Sequence, residues 1–106
     1  MRKALEQLLE IQDLELILAE TSILHRHTPD QEVNRVRKSV ADKRQGLDPE
    51  LLRRYDQLRR NGVAVVREKD GVCGGCQLKV PRGDLRRMQR GIIPWVCPNC
   101  SRFLLL

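Results

Sequence analysis

Aromatic side chains are nearly missing from this sequence: one Tyr, one Trp and one Phe in 106 residues. A chain this small with so little large apolar surface usually relies on a disulfide, a metal or a partner to hold its fold. Also missing is any uninterrupted apolar run near the ~20 residues needed to cross a bilayer, so no membrane association is expected. The opening residues, Met1-Arg2-Lys3-Ala4-Leu5-Glu6, bring an acid into the first turns and show no apolar h-region, which argues against a secretory leader and for a cytoplasmic protein. No Ser/His/Asp set, paired carboxylates or phosphate-cradling glycine loop stands out, so a non-enzymatic role is expected. The sequence shows neither internal repeats nor low-complexity stretches.

Charge, by contrast, is abundant: 20 Lys and Arg against 14 Asp and Glu, a formal net charge of +6. It is unevenly placed. Residues 1–26 hold three basic and five acidic residues, residues 31–60 nine and five, and residues 61–106 eight and three. The basic excess sits in the second half, where it reads either as a solvated face or as a surface for phosphates or acidic proteins.

Cysteine is absent from the first 72 residues and then occurs as Cys73-Gly74-Gly75-Cys76 and Cys97-Pro98-Asn99-Cys100. Two C-x-x-C pairs twenty residues apart form the strongest signal in the chain. A two-residue gap lets the backbone fold back so that both sulfurs face one ion, and Gly74, Gly75 and Pro98 suit such turns. Together the pairs supply four thiolates in a tetrahedron, a closed structural site for one Zn2+ with no open position for catalysis. Two disulfides require an oxidising compartment. A redox C-x-x-C explains one pair, not two, and lacks a βαβ setting. Iron in a rubredoxin-like site takes the same ligands, and spacing alone leaves it open. His25 and His27 lie far from the cysteines and read as turn residues.

Residues 2–26 contain neither Gly nor Pro and predict a helix with a seam at Leu5, Leu9, Gln12, Leu16, Ala19 and Ile23 in the 4-3 spacing of a coiled coil. Leu8, Ile11 and Leu18 widen the apolar face. Thr28, Pro29 and Gln31 form a capping-box start for a second helix running to about Gln45. Its apolar stripe, Val33, Val36 and Val40, is narrow. Asp48-Pro49-Glu50 restarts a helix that presents Leu51, Leu52, Tyr55 and Leu58 on one face, and Asn61-Gly62 ends it. The reading is an antiparallel helical hairpin over residues 1–60, with a turn near 27–30 and a bend near 46–49. Because helix one is broadly apolar and helix two is not, part of helix one is expected to serve another surface: the metal domain, a partner protein or a second copy in a homodimer.

Residues 61–106 predict a zinc ribbon: a strand at Val63–Val66, a hairpin turn at Asp70-Gly71, a short basic helix over 82–90, and a strand at Phe103–Leu106. Leu85, Met88 and Trp95 are expected to be its miniature core. The fold class is α+β, mostly α: an N-terminal coiled-coil hairpin followed by a small C4 zinc ribbon. Metal binding and folding should be coupled there, so that a chelator melts residues 63–106 and leaves the hairpin.

The run from Leu51-Leu52-Arg53-Arg54-Tyr55 through Gly62-Val63-Ala64-Val65-Val66 to Gly71-Val72-Cys73-Gly74-Gly75-Cys76, with Cys97-Pro98-Asn99-Cys100-Ser101-Arg102 beyond it, resembles the bacterial coiled-coil plus C4-type zinc-ribbon family. The resemblance implies a long N-terminal coiled-coil hairpin, a C-terminal ribbon and metal ligation by the four cysteines. Relatives are implicated in binding an alternative sigma factor, in flagellar gene expression and in RNA binding. Three departures stand out: the hairpin is much shorter, Ser101 stands where Gly usually follows the last knuckle, and Leu104-Leu105 replace a Leu-Tyr ending.

Two functional expectations follow. One is an adaptor in bacterial gene expression that docks on a protein such as RNA polymerase, a sigma factor or a ribosome-associated factor through the hairpin. The other is RNA or DNA binding through Lys79, Arg82, Arg86, Arg87 and Arg90 between the knuckles, with Arg67, Lys69 and Arg102 nearby. With the three aromatics assigned to packing, such contact is expected at the backbone rather than the bases. A sharper form of the first treats Asp30 and Glu32 as an acidic tip that probes a polymerase channel.

Overall fold

A computed structural model describes residues 1–24 and 30–106. In chain order the elements are α1 (Arg2–Leu24), α2 (Asp30–Gln45), α3 (Pro49–Arg59), β1 (Val65–Lys69), β2 (Val72–Cys73), α4 (Arg82–Gln89) and β3 (Phe103–Leu105). The predicted turn near 27–30, with its cap and both histidines, lies outside the described residues. Among the described residues four helices and a small sheet bear out the mostly-α class.

α1 and α2 pack together, and Lys43 reaches back to Glu10 at 3.1 Å, which sets the two helices antiparallel. The bend is built as its sequence dictates. The Asp48 carboxylate accepts from the Glu50 amide at 3.3 Å, and Pro49 occupies the first helical position, where its missing N–H costs nothing. Arg44 then clamps Asp56 with two hydrogen bonds of 2.7 and 3.1 Å, tying α2 to α3 across the bend.

β1 is the middle strand of three. β2 pairs antiparallel with it, Glu68 opposite Cys73 and Lys69 opposite Val72. Between them Asp70 and Gly71 take φ of +53° and +79°, the left-handed pair that a tight hairpin turn requires. β3 pairs with β1 in parallel, Val65 opposite Phe103 and Leu105 opposite Arg67. The strand predicted at 63–66 therefore begins two residues later. Val63 is held instead through its carbonyl, which accepts from Arg102 Nε at 3.0 Å, and the Ala64 amide is claimed by a side chain of α1.

That side chain is Gln12, and it corrects the predicted seam. Gln12 is 3% exposed and turned to β1 rather than toward α2. Its Oε1 accepts from the amides of Ala64 (2.6 Å) and Val65 (2.9 Å), and its Nε2 donates to the Val65 carbonyl at 2.9 Å. The physical reason is the open start of β1, whose buried backbone groups must find partners. Around this clamp one buried cluster crosses residue 60: Leu5, Leu8 and Ile11 of α1, Tyr55 of α3, and Val65, Phe103 and Leu104 of the sheet. Beyond Gln12 the cover thins, although Leu14 and Leu18 stay half-buried. Leu16 is 37% and Ile17 50% exposed, and Ala19 is exposed as well.

Candidate metal centre

Cys73 lies on β2 and Cys97 just after Trp95-Val96, both fully buried, while Cys76 and Cys100 are half-buried. The two turns that carry them have the same backbone. Cys73 N–H donates to Leu78 O (3.0 Å) and Gln77 N–H to Cys73 O (2.9 Å); Cys97 N–H donates to Arg102 O and Ser101 N–H to Cys97 O, both at 2.9 Å. Val72 bridges Lys79 in one turn and Val96 bridges Phe103 in the other. The repeat is thus one of conformation. In sequence only Val-Cys-x-x-Cys is shared, which is why the chain reads as free of repeats.

All four sulfurs lie within 4.8 Å of one another. Cys73 Sγ stands 3.8 Å from Cys100 Sγ, and Cys76 Sγ 3.8 Å from Cys97 Sγ, each pair joining one knuckle to the other. A zinc–sulfur bond of about 2.3 Å sets the edge of a tetrahedron at about 3.8 Å. A disulfide needs about 2.05 Å, and all four cysteines are free thiols. The donor set and its spacing therefore fit a tetrahedral Zn2+ with every position filled by protein.

Local charges tune the thiols that a metal must deprotonate. Burial pushes Cys97 up to about 12, against the pull of the Cys100 and Asn99 amides. Burial also opposes ionisation of Cys100, but the amide and guanidinium of Arg102, with the neighbouring Cys97 and Cys73, carry it net down to about 7. Four thiolates and a dication leave two negative charges, and Arg102 is the cation against them. Sequence reasoning placed Arg102 only among the nearby basic residues. Its position two residues past the last cysteine was the available signal.

Residues 72–104 match the family model of the C4-type zinc ribbon domain. The ribbon ligands Cys73, Cys76, Cys97 and Cys100 all fall inside that match, so the zinc-ribbon part of the resemblance stands, while α1–α3 lie outside it. Among solved structures the chain is similar to CT398 from Chlamydia trachomatis, with 25% identity and a TM-score of 0.63 over 71% of this chain. The chain spans 33% of the length of that protein. No curated protein matches the sequence at a significant level.

Within the ribbon the miniature core is the predicted one. Met88 and Trp95 are buried, Leu85 packs against the cluster they belong to, and Trp95 Nε1 donates to Met88 O at 2.7 Å. Arg2 of α1 lies over the Trp95 ring at 5.5 Å. The five candidate basic residues are all exposed, and they differ in their surroundings. At about 100° per residue, Arg82, Arg86 and Arg90 share one strip opposite Met88. Arg87 stands beside the strip and is paired with Asp84, and Lys79 precedes the helix at the bridge with Val72.

Three substitutions test the knuckles. A Cβ on Gly74 would stand 2.7 Å from the Arg67 carbonyl oxygen, the atom to which Gly74 N–H donates at 2.9 Å. Gly74→Ala must therefore displace the first knuckle from β1, and zinc affinity in a chelator competition is expected to fall at least ~10-fold, within the range seen when residues supporting metal ligands are lost. Gly75→Ala meets only side chains, at 3.1 Å, and should lose far less. Conversely, Gln77 and Ser101 each follow a knuckle at φ of +63° and +66°. The left-handed conformation costs a residue bearing Cβ ~1–2 kcal/mol, against the ~0.5–1 kcal/mol of extra backbone entropy that glycine loses on folding. Ser101→Gly is expected to stabilise the zinc-loaded protein by ~0.5–1 kcal/mol on these terms, read as a higher urea midpoint.

Proposed function

We propose that the chain is a non-enzymatic, zinc-stabilised adaptor in the bacterial cytoplasm that docks on a protein of the transcription or translation machinery through its helices. The observation that carries this reading is the end of α1 beyond Gln12, where Leu16 and Ile17 stand open on a layer only two helices thick. A closed four-thiolate centre supports the non-enzymatic part, since it offers no coordination position to a substrate. Among the described residues no helix is long and apolar enough to cross a membrane.

A second reading, contact with RNA or DNA, is favoured by the strip Arg82–Arg86–Arg90. With Tyr55, Trp95 and Phe103 all buried, stacking on bases has no platform, and contact would run through phosphates. A pull-down from bacterial lysate with the zinc-loaded chain, with and without nuclease, separates the two. Protein retained after nuclease and lost with Leu16→Ser supports the adaptor. Association that disappears with nuclease, and a nucleic-acid affinity that drops steeply with salt, moves the function to α4.

A further inference from the structure

α1 carries two parallel rows whose use changes along its length. Leu5, Gln12 and Ala19 form one row at seven-residue spacing, and Leu9 and Leu16 form the row beside it. The ribbon covers this stripe as far as Gln12 and leaves Leu16 and Ala19 exposed. Along its flank runs a third row with the same spacing: Glu6, Asp13 and Glu20. All three are exposed, and none forms an ion pair among the described residues. Their neighbours Glu10 and Glu15 do, with Lys43 and Arg59. An apolar stripe with an unpaired acidic flank is the surface of a helix whose counterpart carries the opposite charge.

From this geometry we infer that the distal stripe of α1 receives an amphipathic helix with Lys or Arg along its flanks. The inference rests on the adaptor reading and specifies its partner's chemistry. A second copy of this chain does not meet the requirement. Antiparallel pairing through the stripe sets the row Glu6–Asp13–Glu20 against itself. Parallel pairing sets it against Leu8, which is buried, and Glu15, so that acids face acids in both arrangements.

The test uses the full zinc-loaded chain and two synthetic three-heptad peptides. Both have Leu at the a and d positions. One has Lys and the other Glu at every e and g position, so each is kept from self-pairing by its own charge. Fluorescence anisotropy at low salt is expected to show the Lys peptide binding about tenfold tighter or more, a few exposed ion pairs' worth. The preference should invert in the variant Asp13→Lys, Glu20→Lys, whose two sites flank the uncovered stripe, are exposed and leave the core intact. Leu16→Ser should weaken both peptides. Equal binding of the two peptides, or binding of neither while nuclease-treated lysate still yields a hairpin-dependent protein, overturns the partner chemistry and leaves the adaptor reading standing. Sedimentation that shows a dimer dissolved by Leu16→Ser assigns the stripe to a second copy and overturns the inference. Failure of hairpin-dependent capture overturns the adaptor reading itself.

Discussion

Removing zinc is expected to unfold the ribbon and to loosen the first three turns of α1 with it. Structural zinc contributes about 10–16 kcal/mol in small zinc domains, as much as the whole ~5–15 kcal/mol stability of an ordinary domain. The ribbon's own core is small, since besides Met88, Trp95, Phe103, Leu104 and Leu105 its buried side chains are no larger than valine. The sequence alone predicts that the damage stops near residue 63. The shared core carries it further, because Leu5, Leu8 and Ile11 are buried in the same cluster as β1 and β3. Chelation should therefore shift the emission of the single tryptophan, Trp95, to that of an exposed indole. It should also remove more far-UV helical signal than the eight residues of α4 account for. Cys97→Ser should reproduce both effects. A helical signal reduced only by α4 would mean that α1 stands without the ribbon.

The second large effect is expected at Gln12. Replacing it with Met keeps the volume but strips the partners from two buried amides, Ala64 and Val65, and one carbonyl, Val65. An unsatisfied buried group costs ~1–3 kcal/mol, so Gln12→Met is expected to destabilise the zinc-loaded protein by ~3–5 kcal/mol in urea unfolding. Native-state hydrogen exchange should then single out the Ala64 and Val65 amides. Gln12→Glu, which keeps the acceptor but faces the Val65 carbonyl with a charge, should fall between Met and the native residue.

Gln12 also marks where sequence reasoning runs short. Its seven-residue spacing from Leu5 and Ala19 put it in a helical seam, and a polar residue in such a seam has a familiar role in helix pairing. Periodicity reports which residues share a face but not what the face meets. The groups that claim Gln12 are backbone amides more than fifty residues away, and backbone leaves no trace in composition. The cysteine site was legible for the opposite reason: its ligands carry their chemistry in their side chains, and each knuckle is local. So were Asp48-Pro49 and Asp70-Gly71, whose conformations are set by two residues each. The parallel pairing of β1 with β3 was not legible, because strands of five and three residues fix neither partner nor direction. The strip of three arginines could be read as basic residues but not as three aligned beside a paired fourth, since the Asp84–Arg87 pair depends on where α4 begins.

The parallel pairing has a consequence for synthesis. β1 is the middle strand, and its outer neighbour β3 is made almost forty residues later. The apolar face of α1 lies on both β1 and β3, so its cover is incomplete until Phe103–Leu105 leave the ribosome. Leu5, Leu8 and Ile11 therefore stay incompletely covered until residues 103–105 have been made. A nascent chain stalled before residue 103 would display those side chains together with the open row at Leu16, a far larger sticky surface than the finished protein shows. The last strand thus acts as a latch on the first helix, and the risk of aggregation ends only when it closes.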